Sequence, residues 1–185
     1  MSSNLFDMTN KVALITGSSK GIGRAIAEEM ARQGAKVVIS SRKADVCQEV
    51  ADAINAEAKA SGNETGEAIV IPAHVGQREA LQHLVDETRA RLGQIDVLVC
   101  NAAVNPFYGS MQELPDDAMD KILDINIKSN HWLVNMVLPE MIERKDGSII
   151  VVSSVGGLRG SPVLGAYCIS KAADLQLVRN LAVEH

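Results

Sequence analysis

The chain has 185 residues and a formal net charge of -5, with 46% hydrophobic, 22% charged and only 3% aromatic residues. That balance describes a single soluble globular domain over residues 1–185, and no stretch reaches the apolar length of a membrane span. The negative charge, the lack of a Lys/Arg cluster and the scarcity of aromatics argue against nucleic acid or an anionic membrane as partner.

In chain order, the apolar run Val12–Ile15 predicts a strand, and the glycine turn Thr16-Gly17-Ser18-Ser19-Lys20-Gly21-Ile22-Gly23 follows it. A helical pattern opens at Gly21 and carries Ile22, Ala25, Ile26, Ala27 and Met30. Gly34 stops it, and Lys36–Ser40 predicts the second strand. Ala44–Ala60 predicts a helix, Ser61–Gly66 a loop, and Ala68–Ala73 a third strand. Gln77–Leu92 predicts a helix closed by Gly93, and Asp96–Cys100 a fourth strand, apolar enough to be covered on both faces. Pro115–Asn126 and His131–Arg144 predict two helices, with Pro139 as a kink point in the second. Lys145–Gly147 is a turn, Ser148–Val152 a fifth buried strand, and the last helix runs from near Ala166 to His185.

Strands alternating with long helices mean βαβ units, hence an α/β fold with a doubly wound parallel sheet and helices on both faces. Ligands of such sheets bind beyond the carboxyl ends of the strands. Those ends carry the glycine turn, Ser41-Arg42-Lys43, His74-Val75, Asn101-Ala102-Ala103 and Ser153-Ser154. The turn spacing is G-x-x-x-G-x-G. Lys20 precedes its glycine, so this is not a P-loop. Free N–H groups at the following helix start suit a pyrophosphate, although an ordinary glycine-rich βα turn would read the same way.

Three cysteines, Cys47, Cys100 and Cys168, are odd in number, far apart and outside any C-x-x-C, which fits free thiols in a reducing cytoplasm. Residues 1–10 lack the apolar core and basic lead of a signal peptide. His74, His83, His131 and His185 show no metal-ligand spacing, so no metal is expected.

Tyr167 and Lys171 lie four apart, on one face of the last helix, with Ser154 upstream at the end of the fifth strand. A free tyrosine loses its proton only near a pH of about 10. A nearby ammonium, or the positive charge of an oxidised nicotinamide, stabilises the phenolate. Ser154 is placed to donate to a carbonyl oxygen that becomes an alkoxide. Standing alone, a tyrosine and lysine at this spacing would be an exposed helix pair.

Together, Thr16-Gly17-x-x-x-Gly21-Ile22-Gly23, Asn101-Ala102-Ala103, Asn126, Ser154 and Tyr167-x-x-x-Lys171 resemble the short-chain dehydrogenase/reductase family, classical branch, over nearly the whole chain. The resemblance implies a Rossmann-like, three-layer αβα fold. It also implies that Tyr167 is the general acid/base, that Lys171 assists it and holds the nicotinamide ribose, and that Ser154 polarises the carbonyl. Asn126 would anchor a water relaying protons to Lys171, or would satisfy a local helix distortion. Gly17, Ser19, Lys20, Gly21, Ile22, Gly23, Ser41, Arg42, His74, Val75, Asn101 and Ala102 would contact the dinucleotide with Tyr167 and Lys171. Two positions depart from the family pattern. Ala103 stands at the usual glycine, and His74 at the usual aspartate, as an adenine contact or as a structural histidine.

The second strand ends in Ser40-Ser41-Arg42-Lys43, with no acid before Asp45. An acid there would take a ribose 2′-hydroxyl, whereas Arg42, with Lys20, suits a 2′-phosphate. NADP(H) is therefore expected ahead of NAD(H), the alternative being that Arg42 and Lys43 form a solvated loop. Ser40–Lys43, His74–Gly76 and Asn105–Gly109 resemble the carbonyl-reductase subgroup acting on dicarbonyls and retinal with NADPH. Val104–Gly109 and Gly156–Val163 would line the substrate pocket, with Pro106, Phe107, Leu158 and Val163 apolar and Arg159 the single charge. An apolar ketone, aldehyde or alcohol fits better than a charged acid. Reduction of a 3-oxoacyl group on a carrier protein shares every motif.

Family members usually continue beyond the helix carrying Tyr167, so the chain is expected to lack the last two strands. A nucleotide-binding fragment or subunit without turnover is the alternative from another class of function. The resemblance also implies a homodimer or homotetramer built on the helices around His131–Arg144 and from Ala166 onward. Leu133, Met136, Val137, Met141, Leu175, Leu177, Val178 and Leu181 would serve the interface or a broad core-facing stripe.

Overall fold

The computed structural model describes residues 5–62 and 66–185. Five parallel strands, β1 (Val12–Thr16), β2 (Lys36–Ser40), β3 (Glu67–Val70), β4 (Val97–Cys100) and β5 (Ser148–Val151), form one sheet in the order β3-β2-β1-β4-β5. The order reverses between β1 and β4, which pair directly from Ala13↔Val97 to Ile15↔Val99. Helices α1 (Gly21–Arg32), α2 (Ala44–Ser61), α3 (Arg78–Leu92), α4 (Asp116–Ile122), α5 (Ser129–Arg144) and α6 (Gly165–Glu184) connect and cover the strands.

Strand alternation sends side chains to two cores. Ala13, Ile15, Val37, Ile39 and Val99 pack with Ala27, Val50 and Ile54 of α1 and α2. Leu14, Val38 and Leu98 pack with Leu81, Leu84, Val85, Leu133 and Val137 of α3 and α5. The result is the expected three-layer αβα arrangement. Each fully buried aliphatic side chain contributes about 1.5–3 kcal/mol. Among the described residues, no helix is long and apolar enough to cross a membrane.

Several expected boundaries change. β3 is regular only over Glu67–Val70, yet Ile71 N–H still donates to Ile39 O (3.2 Å) and Ala73 N–H to Ser41 O (3.1 Å), so pairing continues to Ala73. Gly62 caps α2 in the left-handed conformation, and Asn63, Glu64 and Thr65 of the expected loop lie outside the described residues. The two helices expected before β5 are one continuous rod. A π-helical turn, Leu123–Lys128, joins α4 to α5, and α5 continues through Pro139. Ser129 Oγ donates to Ile125 O (2.6 Å) and Asn130 Nδ2 to Asn126 O (2.8 Å), occupying carbonyls in the widened turn.

β5 is not the buried strand its composition predicts. It alternates exposed and half-buried residues, with Ile150 43% exposed. Its apolar residues meet the pattern of a covered strand, but among the described residues β5 pairs with β4 alone and lies at the edge of the sheet.

Candidate active site

The glycine turn is built by backbone conformation and by three polar side chains. Gly17 (φ +66°) and Gly21 (φ +59°) adopt the left-handed region that glycine tolerates. A Cβ at Gly23 would lie 2.6 Å from Gly17 O and 2.5 Å from Asn101 Nδ2, so α1 can approach the turn only without a side chain there. Asn101 Nδ2 donates to Thr16 O (2.9 Å) and Gly17 O (3.2 Å), tying the end of β4 to the turn. Thr16 Oγ1 accepts from the backbone N–H of Asn101 (3.0 Å) and Ala102 (3.1 Å). Ser18 Oγ donates to Ile15 O (2.7 Å) and accepts from Ser40 N–H (2.9 Å), fastening β2. Sequence reading passed over the hydroxyls of Thr16 and Ser18. Two polar residues beside an otherwise apolar strand were the available signal.

A cleft of about 570 Å³ opens at this switch point. Gly17, Ser19, Lys20, Gly21, Ile22, Ser41, Arg42, His74, Val75, Asn101 and Ala102 line it, together with Lys43, Val46, Ala73, Ala103, Val104, Lys121 and Ile125. Gly23 is absent from the lining because it packs beneath the turn. Four lining residues are Lys or Arg, and no carboxylate lines the cleft among the described residues. α1 starts there without a side-chain cap and without an acid in its first turn. Its first N–H groups and partial positive charge are left for an anion, so the residues present fit a dinucleotide. His74 Nδ1 accepts from Gly76 N–H (3.1 Å), which leaves Nε2 as the donor of the neutral ring.

A larger hollow, about 700 Å³, lies against α5, β5 and α6 near Leu138, Met141, Ile149 and Leu181. It contains none of the candidate catalytic or cofactor-binding residues, although Met141, Val178 and Leu181 of the candidate interface line it together with Lys145, Asp146 and His185.

The second cluster gathers at the end of β5. Ser153 Oγ donates to Lys171 O (2.8 Å) and Lys171 Nζ to Val152 O (2.9 Å), so α6 is fastened to this strand end by both backbone and side chain. Tyr167, one turn earlier on α6, is half-buried, and the Lys171 ammonium lies 5.9 Å from its ring centre. Ser154 Oγ accepts from Gly156 N–H (3.1 Å), which leaves its own proton to donate. Asn126 is fully engaged: Oδ1 accepts from Val104 N–H (2.8 Å), and Nδ2 donates to Val104 O (2.9 Å) and Ser170 Oγ (3.0 Å). Ser170 Oγ in turn donates to Tyr167 O (2.7 Å). The expected substrate-lining stretches also meet, with Gly109 N–H donating to Val163 O (3.0 Å).

The cluster holds one residue that sequence reading missed. Asp174, 1% exposed, accepts from Lys171 Nζ at 2.9 Å. An acid three residues after Lys171, on the stripe of Ala166 and Ser170, was the signal. Burial pushes the Cys100 thiol up to about 12, with the Asp174 charge adding and Lys171 opposing, so this cysteine stays protonated and inert.

An open parallel sheet with a glycine turn and a cationic cleft at its switch point defines a dinucleotide-binding α/β protein. The chain belongs to the short chain dehydrogenase family, whose profile matches residues 11–185. It is 44% identical over 177 residues to dehydrogenase/reductase SDR family member 4 of Bos taurus, covering 96% of this chain and 61% of that protein. Thus the chain spans about three-fifths of the length of the curated relatives it matches. A metagenomic short-chain oxidoreductase solved in complex with NADP superimposes with a TM-score of 0.87 at 31% identity, covering 95% of this chain and 76% of the other. An alcohol dehydrogenase from Thermococcus sibiricus, complexed with 5-hydroxy-NADP, gives 0.85 at 28% identity, covering 94% and 71%.

Proposed function

We propose that this chain binds NADP(H) and carries the catalytic residues of a carbonyl reductase that also runs in reverse as an alcohol dehydrogenase. The observation that carries this reading is the cleft, which Lys20, Arg42, Lys43 and Lys121 line without any carboxylate among the described residues. Such a lining attracts a 2′-phosphate and offers no acid to a free 2′-hydroxyl. The relatives in complex with NADP and 5-hydroxy-NADP support the same reading.

Bound there, NADPH supplies the hydride for the carbonyl carbon. Tyr167 donates its hydroxyl proton to the carbonyl oxygen, so that one hydride and one proton convert ketone to alcohol. Ser154 donates a hydrogen bond to the same oxygen, and Lys171 holds the nicotinamide ribose and stabilises the phenolate left on Tyr167. Asn126 fixes the loop after β4 against the turn of α6 that bears Tyr167. The substrate is a small apolar ketone, aldehyde or alcohol, and the three free, buried cysteines suit a reducing cytosol. Assembly into a homodimer or homotetramer draws on α6, because Leu133, Val137 and Met141 of α5 face the core.

Tyr167→Phe is expected to cut kcat by about 10²–10⁴-fold while leaving NADPH titration nearly unchanged. Full turnover in that variant would reject Tyr167 as the proton donor. Comparing an aromatic diketone with an acetoacetyl thioester separates this reading from 3-oxoacyl reduction. A second reading, nucleotide binding without turnover, draws on the half-exposed β5 edge beside Ser154. It predicts NADPH binding with no reduction of either substrate.

A further inference from the structure

The strand order β3-β2-β1-β4-β5 puts Ser154 and Tyr167, beside β5, on one flank of the glycine turn and the ends of β2 and β3 on the other. A dinucleotide whose nicotinamide meets Tyr167 and whose 2′-phosphate meets Arg42 then leaves its purine at the end of β3. There the cleft is lined by Ala73, His74 and Val75, with Lys121 and Ile125 facing them from α4 and the π-helical turn. His74 is fixed in this wall. Its carbonyl accepts from Gln77 N–H (2.9 Å) and its Nδ1 from Gly76 N–H (3.1 Å). A Cβ at Gly76 would lie 3.1 Å from His74 Cε1 and 2.6 Å from Ile125 Cδ1, so the ring and Ile125 close over a bare turn.

A backbone N–H only donates, so Nδ1 of His74 carries a lone pair and Nε2 carries the proton. An aspartate at this position would accept the same N–H with one oxygen and keep a second acceptor for the cleft. Histidine keeps the turn and reverses the polarity of the remaining atom. The turn therefore accounts for one ring nitrogen and not for the other. The neighbouring side chains add no acceptor. Lys121 only donates, and Ser41 Oγ already accepts from Lys43 N–H (3.3 Å) and lies 3.1 Å from Cys47 Sγ. No carboxylate lines the cleft among the described residues to accept from a 6-amino group.

We propose that the base subsite reads its purine through acceptor atoms, with His74 Nε2–H donating to the purine edge, and that it therefore admits a 6-oxopurine as well as adenine. The inference rests on the reading of the cleft as a dinucleotide site. Adenine carries a donor at its 6-position and acceptors on its ring, whereas a 6-oxopurine carries an acceptor at the 6-position. Donors alone gain nothing from the 6-amino group and gain a partner from the oxygen.

Isothermal titration of the full chain with NADP and with its hypoxanthine analogue reads the subsite without substrate or turnover. The analogue is expected to bind no more than about threefold more weakly than NADP, and a larger preference for NADP overturns the proposal. His74→Asp presents an acceptor instead, so it should swing the ratio about tenfold toward NADP. A ratio within about threefold of the parent's in that variant means that His74 does not touch the base, and it overturns the proposal. Should His74→Asp not fold, His74→Leu removes the donor and should weaken both nucleotides about threefold or more, whereas His74→Asn should restore them. Asparagine can offer Oδ1 to Gly76 N–H and Nδ2 to the base. Unchanged affinities in His74→Leu overturn the proposal. A chain that binds neither nucleotide defeats the functional reading and this inference with it, whereas binding of both without the expected ratios defeats the base reading alone.

Discussion

The half formed by β1 to β4 with the glycine turn and the half formed by β5 with α6, which carries Ser154, Tyr167 and Lys171, are held together in different ways. In the first, β1 and β4 are buried at every residue, and Thr16, Ser18 and Asn101 knit the strand ends together. The second rests on an edge strand and on hydrogen bonds from Ser153 and Lys171 to single backbone or side-chain groups. A covered sheet preorganises the cleft, because every strand end is positioned by two cores at once. The cluster of Ser154, Tyr167 and Lys171 depends on local polar contacts, so its geometry is easier to disturb without unfolding the chain.

The largest expected contrast is in stability. Leu14→Ala, at a fully buried position of β1, should cost about 2–5 kcal/mol, and Ile150→Ala on β5 less than about 1 kcal/mol. Chemical denaturation of the two variants measures the difference, and equal losses would mean that β5 is as well supported as β1. Gly23→Val comes next. Its Cβ would meet the Gly17 carbonyl, which is backbone and cannot swing aside, so the turn must shift at a cost of about 1–3 kcal/mol. NADPH affinity should fall about tenfold or more, and an unaltered titration would show the turn to be adaptable.

Cofactor choice sharpens the comparison within the first half. Arg42→Asp should weaken NADPH binding about tenfold or more, given about 1.5–3 kcal/mol for a charge-assisted hydrogen bond, and should shift preference toward NADH. Equal affinities of the wild type for both nucleotides would show that Arg42 does not reach the phosphate. The smallest effect is expected on the outer face, where Arg32 Nε and Nη2 donate to Glu57 at 2.7 and 3.2 Å between α1 and α2. The Arg32 guanidinium holds the Glu57 carboxyl below its ordinary range. A folded value below the unfolded one gives stability that is present at neutral pH and lost as pH falls through the folded value. Glu57→Gln should therefore lower Tm slightly near pH 7, and the difference from the parent should vanish as the pH falls through the lowered folded-state value of Glu57.

The sequence alone determined the βα alternation, the parallel sheet, the glycine turn and the placing of Tyr167 and Lys171 on one face of α6. These follow from local signals: short apolar runs, glycine spacing and a four-residue helical interval. Tertiary structure decided what depends on neighbours remote in the chain. Ser148–Val152 has the composition of a covered strand, but whether a strand lies beyond it is a property of the sheet. The break between the two expected helices became a π-helical turn because Asn126 reaches back to Val104 and across to Ser170. Gly23 resembles a ligand contact in sequence but proves to be the packing position under Gly17 and Asn101. Asp174 was hidden for the same reason. An acid on a helix is usually a solvated residue, and only the folding of α5 against α6 brings Asn130 and Lys171 to its two oxygens and makes it part of the site.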